Sequence, residues 1–432
     1  MNILEKLISS KDLYSKLKNN SSLKNGILFT IFAFLSNGIN FLILITLAGY
    51  LSPDGYGQLN LFTTFITIFS VLIPLGTTGF VAVSFFRKTK EELRDVINII
   101  FFISSFILIL ILFILIFGGT LLEKMIGFSN EYQIIALLIC FFQIFNLINL
   151  EIWRLEEKPI KYGIYSFGIA FFNFILTFIF VLLFKMDWTG RVYAQLAIAI
   201  IFFSISIYIL IHRKYFILRK INIPLLKETL SFGVPLIPHQ ITSWIRQGLD
   251  RYIINFFIGT TSVGLFSFAF NFGNIIHMVG IAFNASNSVF IYKNLSDKTD
   301  ATRNKLYKQT CFMSLFFFIL TIIVFCGAYY LIPYIFPKYK ESLPFLFPIC
   351  LGAFFQCNYY LFVNYLFYYK KTKGLMYITT TISVLHLLLS FLFTRYSTLY
   401  TAYITLFSNF AICLLVILYS QKIYPLIKYK KE

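Results

Sequence analysis

The sequence has few acidic residues and few side chains that bind metals or form disulfides. It contains 18 aspartates and glutamates against 37 lysines and arginines, with four histidines and six cysteines. The cysteines form no Cys-x-x-Cys pair and lie in apolar segments without a histidine cluster, so we interpret them as small core residues and predict no metal site. His277 and His386 are typical of hydrogen-bonded interior histidines. No Gly-x-x-x-x-Gly-Lys sequence is present, which excludes an ATPase motor within the chain.

Apolar residues dominate the composition instead. Hydrophobic residues make up 58% of the chain, aromatic residues 20% and charged residues only 13%, and the mean hydropathy is +0.79. These values exclude a soluble domain of 432 residues. We predict an all-α polytopic membrane protein with twelve transmembrane helices, at about residues 26–50, 59–85, 96–119, 132–153, 163–184, 192–212, 230–258, 263–292, 309–333, 343–369, 375–394 and 399–420.

The basic residues are concentrated on one side of these predicted spans. The tails and the even-numbered loops carry 29 of the lysines and arginines, the odd-numbered loops carry six, and two lie inside a span. Cytoplasmic loops are enriched in lysine and arginine, so both termini are predicted to lie in the cytoplasm. The net charge of +19 therefore reflects topology and contact with anionic membrane lipids, and we predict no nucleic-acid partner.

The seventh segment, Leu230–Gly259, carries charge in or near its middle. A charged side chain at the centre of a membrane helix costs about 2.5–3.5 kcal/mol, so it usually faces a partner or a hydrated cavity. At helical spacing one polar row is formed by His239, Ser243, Arg246 and Asp250, and the adjacent row by Gln240, Trp244, Gln247 and Arg251. In one interpretation Arg246 and Asp250 simply neutralise each other. In the other, which the surplus of arginine favours, an unpaired cation binds an anionic ligand.

The two halves of the chain resemble each other at an offset near 207 residues. Gly57 falls on Gly264, and the basic loop 87–95 falls on 293–308. The repeat predicts two parallel six-helix lobes around a central cleft, with Asn37 and Asn40 on the wall opposite the arginines. The predicted divisions are a cytoplasmic N-terminal segment (1–24), an N-terminal lobe (25–212), a cytoplasmic linker (213–229), a C-terminal lobe (230–420) and a cytoplasmic tail (421–432).

Two motifs carry a family resemblance. They are Leu51-Ser52-Pro53-x-x-Tyr56-Gly57 after the first helix, and Pro235-x-x-Pro238 followed by Asp250-Arg251-Tyr252 in the seventh. The chain resembles the Wzx-type polysaccharide biosynthesis flippases of the multidrug/oligosaccharidyl-lipid/polysaccharide exporter superfamily over nearly its full length. The resemblance implies translocation of undecaprenyl-pyrophosphate-linked oligosaccharide repeat units across the bacterial inner membrane, for O-antigen or capsule synthesis. The implied partners are that lipid-linked glycan, membrane lipids, and a polysaccharide polymerase with its chain-length machinery.

The family offers no catalytic motif to transfer, so residue roles rest on physical chemistry. We expect no catalytic residue and no cofactor. Arg246 and Arg251 are the predicted pyrophosphate ligands, because guanidinium groups bind phosphate oxygens in pairs. Asp250 and Glu151 are the predicted carboxylates for coupling to H⁺ or Na⁺. For Asp250 the alternative is a fixed partner of Arg246, and for Glu151 it is interfacial exposure. The predicted polar wall of the cleft comprises Asn37, Asn40, His239, Gln240 and Gln247.

Two other functions remain open at this point. A cation-coupled multidrug exporter of the same superfamily would need buried carboxylates for cationic drugs, whereas the predicted site is net positive. A membrane polymerase or glycosyltransferase would need a large external region or paired acids to position sugars. The longest predicted external loop, 120–131, contains only Glu123 and Glu131, which are eight residues apart.

Overall fold

The computed structural model describes residues 21–296 and 299–426, and within those residues every regular element is helical. Each of the twelve predicted spans falls on a helix or on a series of consecutive helices, which confirms the all-α polytopic prediction. Residues 1–20 of the predicted N-terminal segment and residues 427–432 of the predicted tail lie outside the described part.

Residues 21–212 contain seven α-helices. They are α1 (Ser21–Tyr50), α2 (Pro53–Leu72), α3 (Phe80–Arg87), α4 (Lys90–Ile126), α5 (Asn130–Leu155), α6 (Pro159–Phe178) and α7 (Asp187–His212). The connection between α4 and α5 is only residues 127–129, so the predicted external loop 120–131 was too long. Apolar residues continue along α4 beyond the predicted span, which is why that helix extends further.

The described residues after His212 contain eight α-helices, three of them short. They are α8 (Ile223–Gly233), α9 (Ile237–Trp244), α10 (Asp250–Phe257), α11 (Thr260–Ser296), α12 (Asp300–Ile335), α13 (Leu343–Tyr368), α14 (Thr372–Phe393) and α15 (Thr398–Ile423). Among the described residues, ten helices are long and apolar enough to cross a membrane, and the α2–α3 pair makes an eleventh. The remaining predicted span is the series α8–α10, in which no piece reaches 18 residues.

The second span is bent by 57° between α2 and the helical stretch Thr77–Arg87. At the bend Leu75 and Gly76 have φ of 50° and 68°, values in the left-handed region. A Cβ on Gly76 would lie only 2.7 Å from the carbonyl oxygen of Gly233, at the end of α8. Glycine is therefore needed at position 76 both for the backbone conformation and for the close approach of α8.

The chain divides into two compact units. Among the described residues, the first comprises residues 21–47, Phe65–Lys124 and Phe128–Gln240; the second comprises Ala48–Thr64, Met125–Gly127, and residues 241–296 and 299–426. The second unit thus includes the first part of α2, although most of that unit begins only at Ile241. The predicted lobe boundaries, which are contiguous in sequence, stay a prediction.

In the first unit, the segment after α7 is anchored to the end of α5. Glu156 accepts hydrogen bonds from Arg213, from the Tyr215 hydroxyl at 2.7 Å, and forms an ion pair with Lys158 at 2.9 Å. Burial favours a raised pKa for Glu156, but these hydrogen bonds outweigh it and lower the pKa to about 2. Burial, and then the hydrogen bond to Glu156, raises the pKa of Tyr215 to about 12.

In the second unit, α2 and α11 cross with their backbones almost in contact. A Cβ on Gly57 would lie 3.0 Å from the backbone nitrogen of Gly264, and a Cβ on Gly264 would lie 3.1 Å from that of Gly57. Each glycine also faces the carbonyl oxygen of the residue four positions before the other, Thr260 and Pro53 respectively. The two glycines that the internal repeat relates are therefore direct neighbours, and their contact is reciprocal.

Gly57→Ala is expected to lower the midpoint of thermal unfolding in detergent. The added methyl group would meet backbone atoms, which cannot rotate away, and overpacking of this kind typically costs about 1–3 kcal/mol. Gly118→Ala in α4 is the matched control, because no atom lies within 4 Å of a Cβ at Gly118. That control should be neutral or slightly stabilising, since alanine favours helix more than glycine does. Equal midpoints for the two variants would contradict the close crossing.

Candidate functional site

The charged seventh segment is not the single regular helix that its hydropathy predicts. Residues 223–257 form α8, a 3-10 turn (Val234–Leu236), α9, a π-helical turn (Ile245–Leu249) and α10 in succession. Pro235 and Pro238 lack an N–H group, which explains the irregularity in the first half. In the second half, Gly248 lies against α2, where a Cβ would be 2.9 Å from the Thr64 side chain.

Hydrogen bonds to α2 hold both sides of the π-helical turn. The Trp244 indole N–H donates to the Thr64 carbonyl at 3.1 Å, and the Tyr252 hydroxyl donates to the Leu61 carbonyl at 2.9 Å. A π turn hydrogen-bonds at i to i+5, so it changes the direction of every side chain that follows. The predicted polar rows, which assumed regular α-helical spacing, are therefore wrong beyond Ile245.

Asp250 is paired with α14 and α15, and its hydrogen bonds do not involve Arg246. His386 Nε2 lies 3.0 and 3.1 Å from the two carboxylate oxygens. The Ser390 hydroxyl donates to Asp250 at 2.9 Å and the Thr405 hydroxyl at 3.2 Å. Asp250 and His386 are 2% and 1% exposed, so the pair is sealed within the protein. The alternative in which Asp250 simply neutralises Arg246 is wrong.

The hydrogen-bonded cluster continues beyond His386. Its other ring nitrogen, Nδ1, lies 2.9 Å from the Ser408 hydroxyl on α15. The Thr405 hydroxyl also lies 3.0 Å from the carbonyl of Thr401, one turn earlier on the same helix, so its single proton is shared between that carbonyl and Asp250. One carboxylate, one imidazole and three hydroxyl groups thus form a single buried hydrogen-bonded cluster.

Arg246 points into a cavity of the second unit. Its Nε is buried and has no hydrogen-bond partner, and within the described part of the chain its guanidinium forms no ion pair. The cavity volume is about 40 Å³, room for roughly three water molecules. Amide, hydroxyl, imidazole and apolar side chains, and no carboxylate, form the rest of its lining: Gln247, Phe270, Gly273, Asn274, His277, Ile349, Ala353, Gln356, Thr405 and Asn409.

Arg251 is buried, and two of its five N–H groups donate hydrogen bonds. Its Nε donates to the Ser267 hydroxyl at 3.1 Å, and a terminal N–H donates to the backbone carbonyl of Gln247. The guanidinium carbon lies 4.9 Å from the centre of the Phe270 ring. The structure therefore distinguishes the two predicted ligands: Arg246 faces a cavity, whereas Arg251 is held by its neighbours.

The other predicted site residues lie in the first unit. Asn37 and Asn40 are exposed on α1, His239 is exposed on α9, and Gln240 beside it is half-buried. Glu151 forms an ion pair with Arg154 at 2.6 Å. Of the nine predicted residues, the structure brings together Arg246 and Gln247 on one cavity, with Asp250 and Arg251 beside them on the same chain segment.

Four residues of the Asp250 cluster were not predicted from the sequence: His386, Ser390, Thr405 and Ser408. His386 and Ser390 are four residues apart on α14, and Thr405 and Ser408 are three apart on α15. Polar residues at this spacing share one face of a helix. In helices that are otherwise apolar, that spacing was the available signal for an interior polar cluster.

Two solved structures show the fold of this chain. An inward-facing multidrug resistance MATE family transporter of the MOP superfamily matches with a TM-score of 0.69 and 15% identity, over 90% of this chain and 94% of the other. The lipid II flippase MurJ, in an inward closed conformation, also matches with a TM-score of 0.69, at 17% identity over 91% of this chain and 87% of the other.

Sequence comparison identifies the family. "Lsg locus putative protein 1" of Haemophilus influenzae is 24% identical over 358 residues, which is 81% of this chain and 86% of that protein. The MatE family model matches residues 235–392, and the model described as "Polysaccharide biosynthesis protein" matches residues 22–290. Both matches include Arg246, Asp250 and Arg251. Because the second covers more than half of the chain, the protein belongs to the polysaccharide biosynthesis protein family and has the fold of MOP-superfamily transporters.

Proposed function

We propose that this protein is a flippase that moves undecaprenyl-pyrophosphate-linked oligosaccharide repeat units from the cytoplasmic to the outer leaflet of the bacterial inner membrane. The product would supply O-antigen or capsule synthesis, and transport would follow alternating access. The observation that carries the proposal is Arg246, whose buried Nε has no hydrogen-bond partner among the described residues, in a cavity whose described lining has no carboxylate. The family assignment and the fold shared with MurJ support it.

The cavity chemistry is suited to a phosphorylated head group. A buried cation needs a compensating anion, and the planar guanidinium binds two phosphate oxygens at once. Gln247 and the amides of Asn274, Gln356 and Asn409 offer further N–H donors for phosphate or sugar oxygens. The cavity is small, about 40 Å³, and we expect it to widen when it binds the pyrophosphate. Such a change of shape is what alternating access provides.

Asp250 is the proposed coupling carboxylate. His386 occupies both of its oxygens, and Thr405 belongs both to this cluster and to the lining of the Arg246 cavity. Thr405 therefore connects the proposed anion-binding cavity to the proposed coupling carboxylate. The imidazole and hydroxyl groups favour H⁺ over Na⁺ as the coupling ion, because a metal cation would have to displace His386 from the carboxylate. Glu151, paired with Arg154, is the second candidate.

Contacts with the glycan are proposed for residues of the first unit. Asn37, Asn40, His239 and Gln240 have amide or imidazole groups that can form hydrogen bonds with sugar hydroxyls. Their contact with the glycan stays a prediction. Cytoplasmic termini remain proposed on the distribution of lysine and arginine. Functional contact with a polymerase and its chain-length machinery is proposed from the family resemblance alone.

A multidrug exporter is the second candidate function, because the MatE model matches residues 235–392 and a multidrug MATE transporter shares the fold. Cationic drugs need a carboxylate in the binding cavity, whereas the described lining of the Arg246 cavity has none. Asp250, the nearby acid, already has three side-chain hydrogen-bonding partners. A membrane polymerase or glycosyltransferase is less consistent with a connection as short as residues 127–129.

The test is a gene deletion followed by localisation of the lipid-linked precursor. Loss of a flippase should abolish surface polysaccharide and leave undecaprenyl-linked repeat units on the cytoplasmic leaflet, inaccessible to a periplasmic glycan-oxidising probe in intact spheroplasts. Single repeat units accumulating on the outer leaflet would indicate a polymerase. Normal surface polysaccharide with increased sensitivity to cationic drugs would indicate an exporter.

A further inference from the structure

Arg246 and Arg251 lie five residues apart, on either side of the point where the π-helical turn joins α10. They carry the same charge, yet their surroundings differ. Arg246 faces the cavity with its Nε unpartnered. Arg251 contacts three groups, each in a different way: the Ser267 hydroxyl, the Gln247 carbonyl and the Phe270 ring. These contacts use two of the five N–H groups and one face of the guanidinium, and the residue is buried, so Arg251 is better placed to support its neighbours than to bind a ligand.

Two of the three groups that Arg251 contacts belong to residues that line the Arg246 cavity. Gln247 and Phe270 both contribute to its wall, and Arg251 lies behind them. Ser267 is three residues before Phe270 on α11, so the same arginine connects that helix to the π-helical turn. The backbone of the turn and the aromatic wall of the cavity therefore share one support.

The position of Arg251 matters because the π-helical turn determines the direction of the side chains within it and of those that follow it. Before it ends, Arg246 and Gln247 face the cavity; immediately after it, Asp250 faces His386. Relaxation of the turn to regular α-helix would rotate these side chains relative to one another by about 100°, one residue's share of a helical turn. The hydrogen bond from Arg251 ties the first turn of α10 to the Gln247 carbonyl within the π-helical turn, so this bond would have to change if the turn relaxed.

We propose that Arg251 is a positioning residue: it holds the π-helical turn and the Phe270 ring so that Arg246 and Gln247 present their polar groups to the cargo, and it does not touch the cargo itself. The inference rests on the proposed function in that Arg246 is taken as the pyrophosphate ligand. The sequence predicted that both arginines bind the pyrophosphate. In this proposal Arg246 binds it and Arg251 supports the binding site.

The first experiment needs no cargo. Arg246→Cys is introduced into the full-length protein with the exposed Cys311 and Cys326 changed to serine, and the rate of labelling by an anionic thiosulfonate reagent is measured in nanodiscs. The same measurement is repeated with Arg251→Lys, Arg251→Gln or Ser267→Ala added. If Arg251 acts through geometry, lysine and glutamine should change the labelling rate equally, because lysine cannot reproduce the planar, multi-point contact. Ser267→Ala, which leaves the charge of Arg251 unchanged, should shift the rate in the same direction.

A ligand role for Arg251 gives a different pattern. If its charge attracts anions, Arg251→Lys should keep the original labelling rate, Arg251→Gln should reduce it, and Ser267→Ala should have no effect. That result would overturn the proposal. Ser267→Ala also keeps the test decisive if both Arg251 variants fail to insert, since it removes one contact and leaves the arginine in place.

The second experiment measures flipping of a fluorescent polyprenyl-pyrophosphate glycan in proteoliposomes. Arg251→Lys and Arg251→Gln should both reduce the rate by about 100-fold, the typical effect of displacing a binding group by about 1 Å. Ser267→Ala should cause a smaller loss. If the wild-type protein flips no such lipid, the proposed function fails, while the labelling result still decides whether Arg251 sets the direction of position 246.

Discussion

Arg246→Ala should weaken binding of the lipid-linked cargo by about 30-fold or more, because losing one partner of a buried, hydrogen-bonded charge pair costs roughly 2 kcal/mol or more. Its thermal stability should be unchanged or slightly higher. The guanidinium makes no hydrogen bond or ion pair in the described part of the chain, so removing it leaves no other charge unpaired. Arg246→Lys keeps the charge and loses the planar fork, so an intermediate affinity is expected.

The measurement combines titration of the lipid-linked cargo in detergent, a flipping assay in proteoliposomes and thermal unfolding in detergent. Arg395→Ala is the matched control: this arginine is exposed and donates to the neighbouring Tyr396 hydroxyl at 2.7 Å. It should flip cargo at the wild-type rate. A loss of stability in Arg246→Ala would assign the residue a structural role, and undiminished cargo binding would remove the pyrophosphate site from the cavity.

Asp250→Ala should have the largest effect on stability, because each buried donor left without an acceptor costs about 1–3 kcal/mol. His386, Ser390 and Thr405 would each lose the acceptor that they share, in a place from which water is excluded. Asp250→Asn keeps one acceptor oxygen, so it should fold. It cannot exchange a proton, and we therefore expect its transport rate to lose the pH dependence of the wild type.

These variants are compared by thermal unfolding in detergent and by flipping rates across a series of pH values. Asp54→Asn serves as the control, because Asp54 is an exposed carboxylate in the first turn of α2. Its unfolding midpoint and pH profile should match those of the wild type within a small helix-end effect. If Asp250→Asn keeps the wild-type pH profile, the coupling role passes to another group.

The sequence was sufficient to predict the membrane spans and to single out the charged seventh segment. Both are local properties. A run of apolar residues must cross the bilayer as a helix, and a charged side chain inside it needs a partner or a hydrated cavity. The partners were not local. Asp250 is bound by residues 136 to 155 positions further along the chain, which no helical periodicity within one segment can connect.

A second limit came from the assumption of a regular helix. The expected rows containing Arg246, Asp250 and Arg251 depend on 3.6 residues per turn, and a single π-helical turn separates them. That turn is stabilised by contacts with α2, among them the bond from Trp244 to Thr64. The internal repeat, by contrast, related two residues that proved to be neighbours. The offset of 207 residues paired Gly57 with Gly264, but the contact between them could be seen only in the folded chain.

Residues Ala48–Thr64 are synthesised well before most of the residues that they contact in the second unit. Tyr56 is made long before Asn271, which donates to its hydroxyl at 2.6 Å, and Gly57 precedes Gly264 by 207 residues. At about 5–20 residues per second, the ribosome needs roughly 10–40 s to supply the missing neighbour. During that interval the carbonyls of Leu61 and Thr64 have not yet met the hydroxyl and indole that will bind them. The nascent α2 therefore has its own backbone hydrogen bonds but lacks these side-chain partners until the later helices are made.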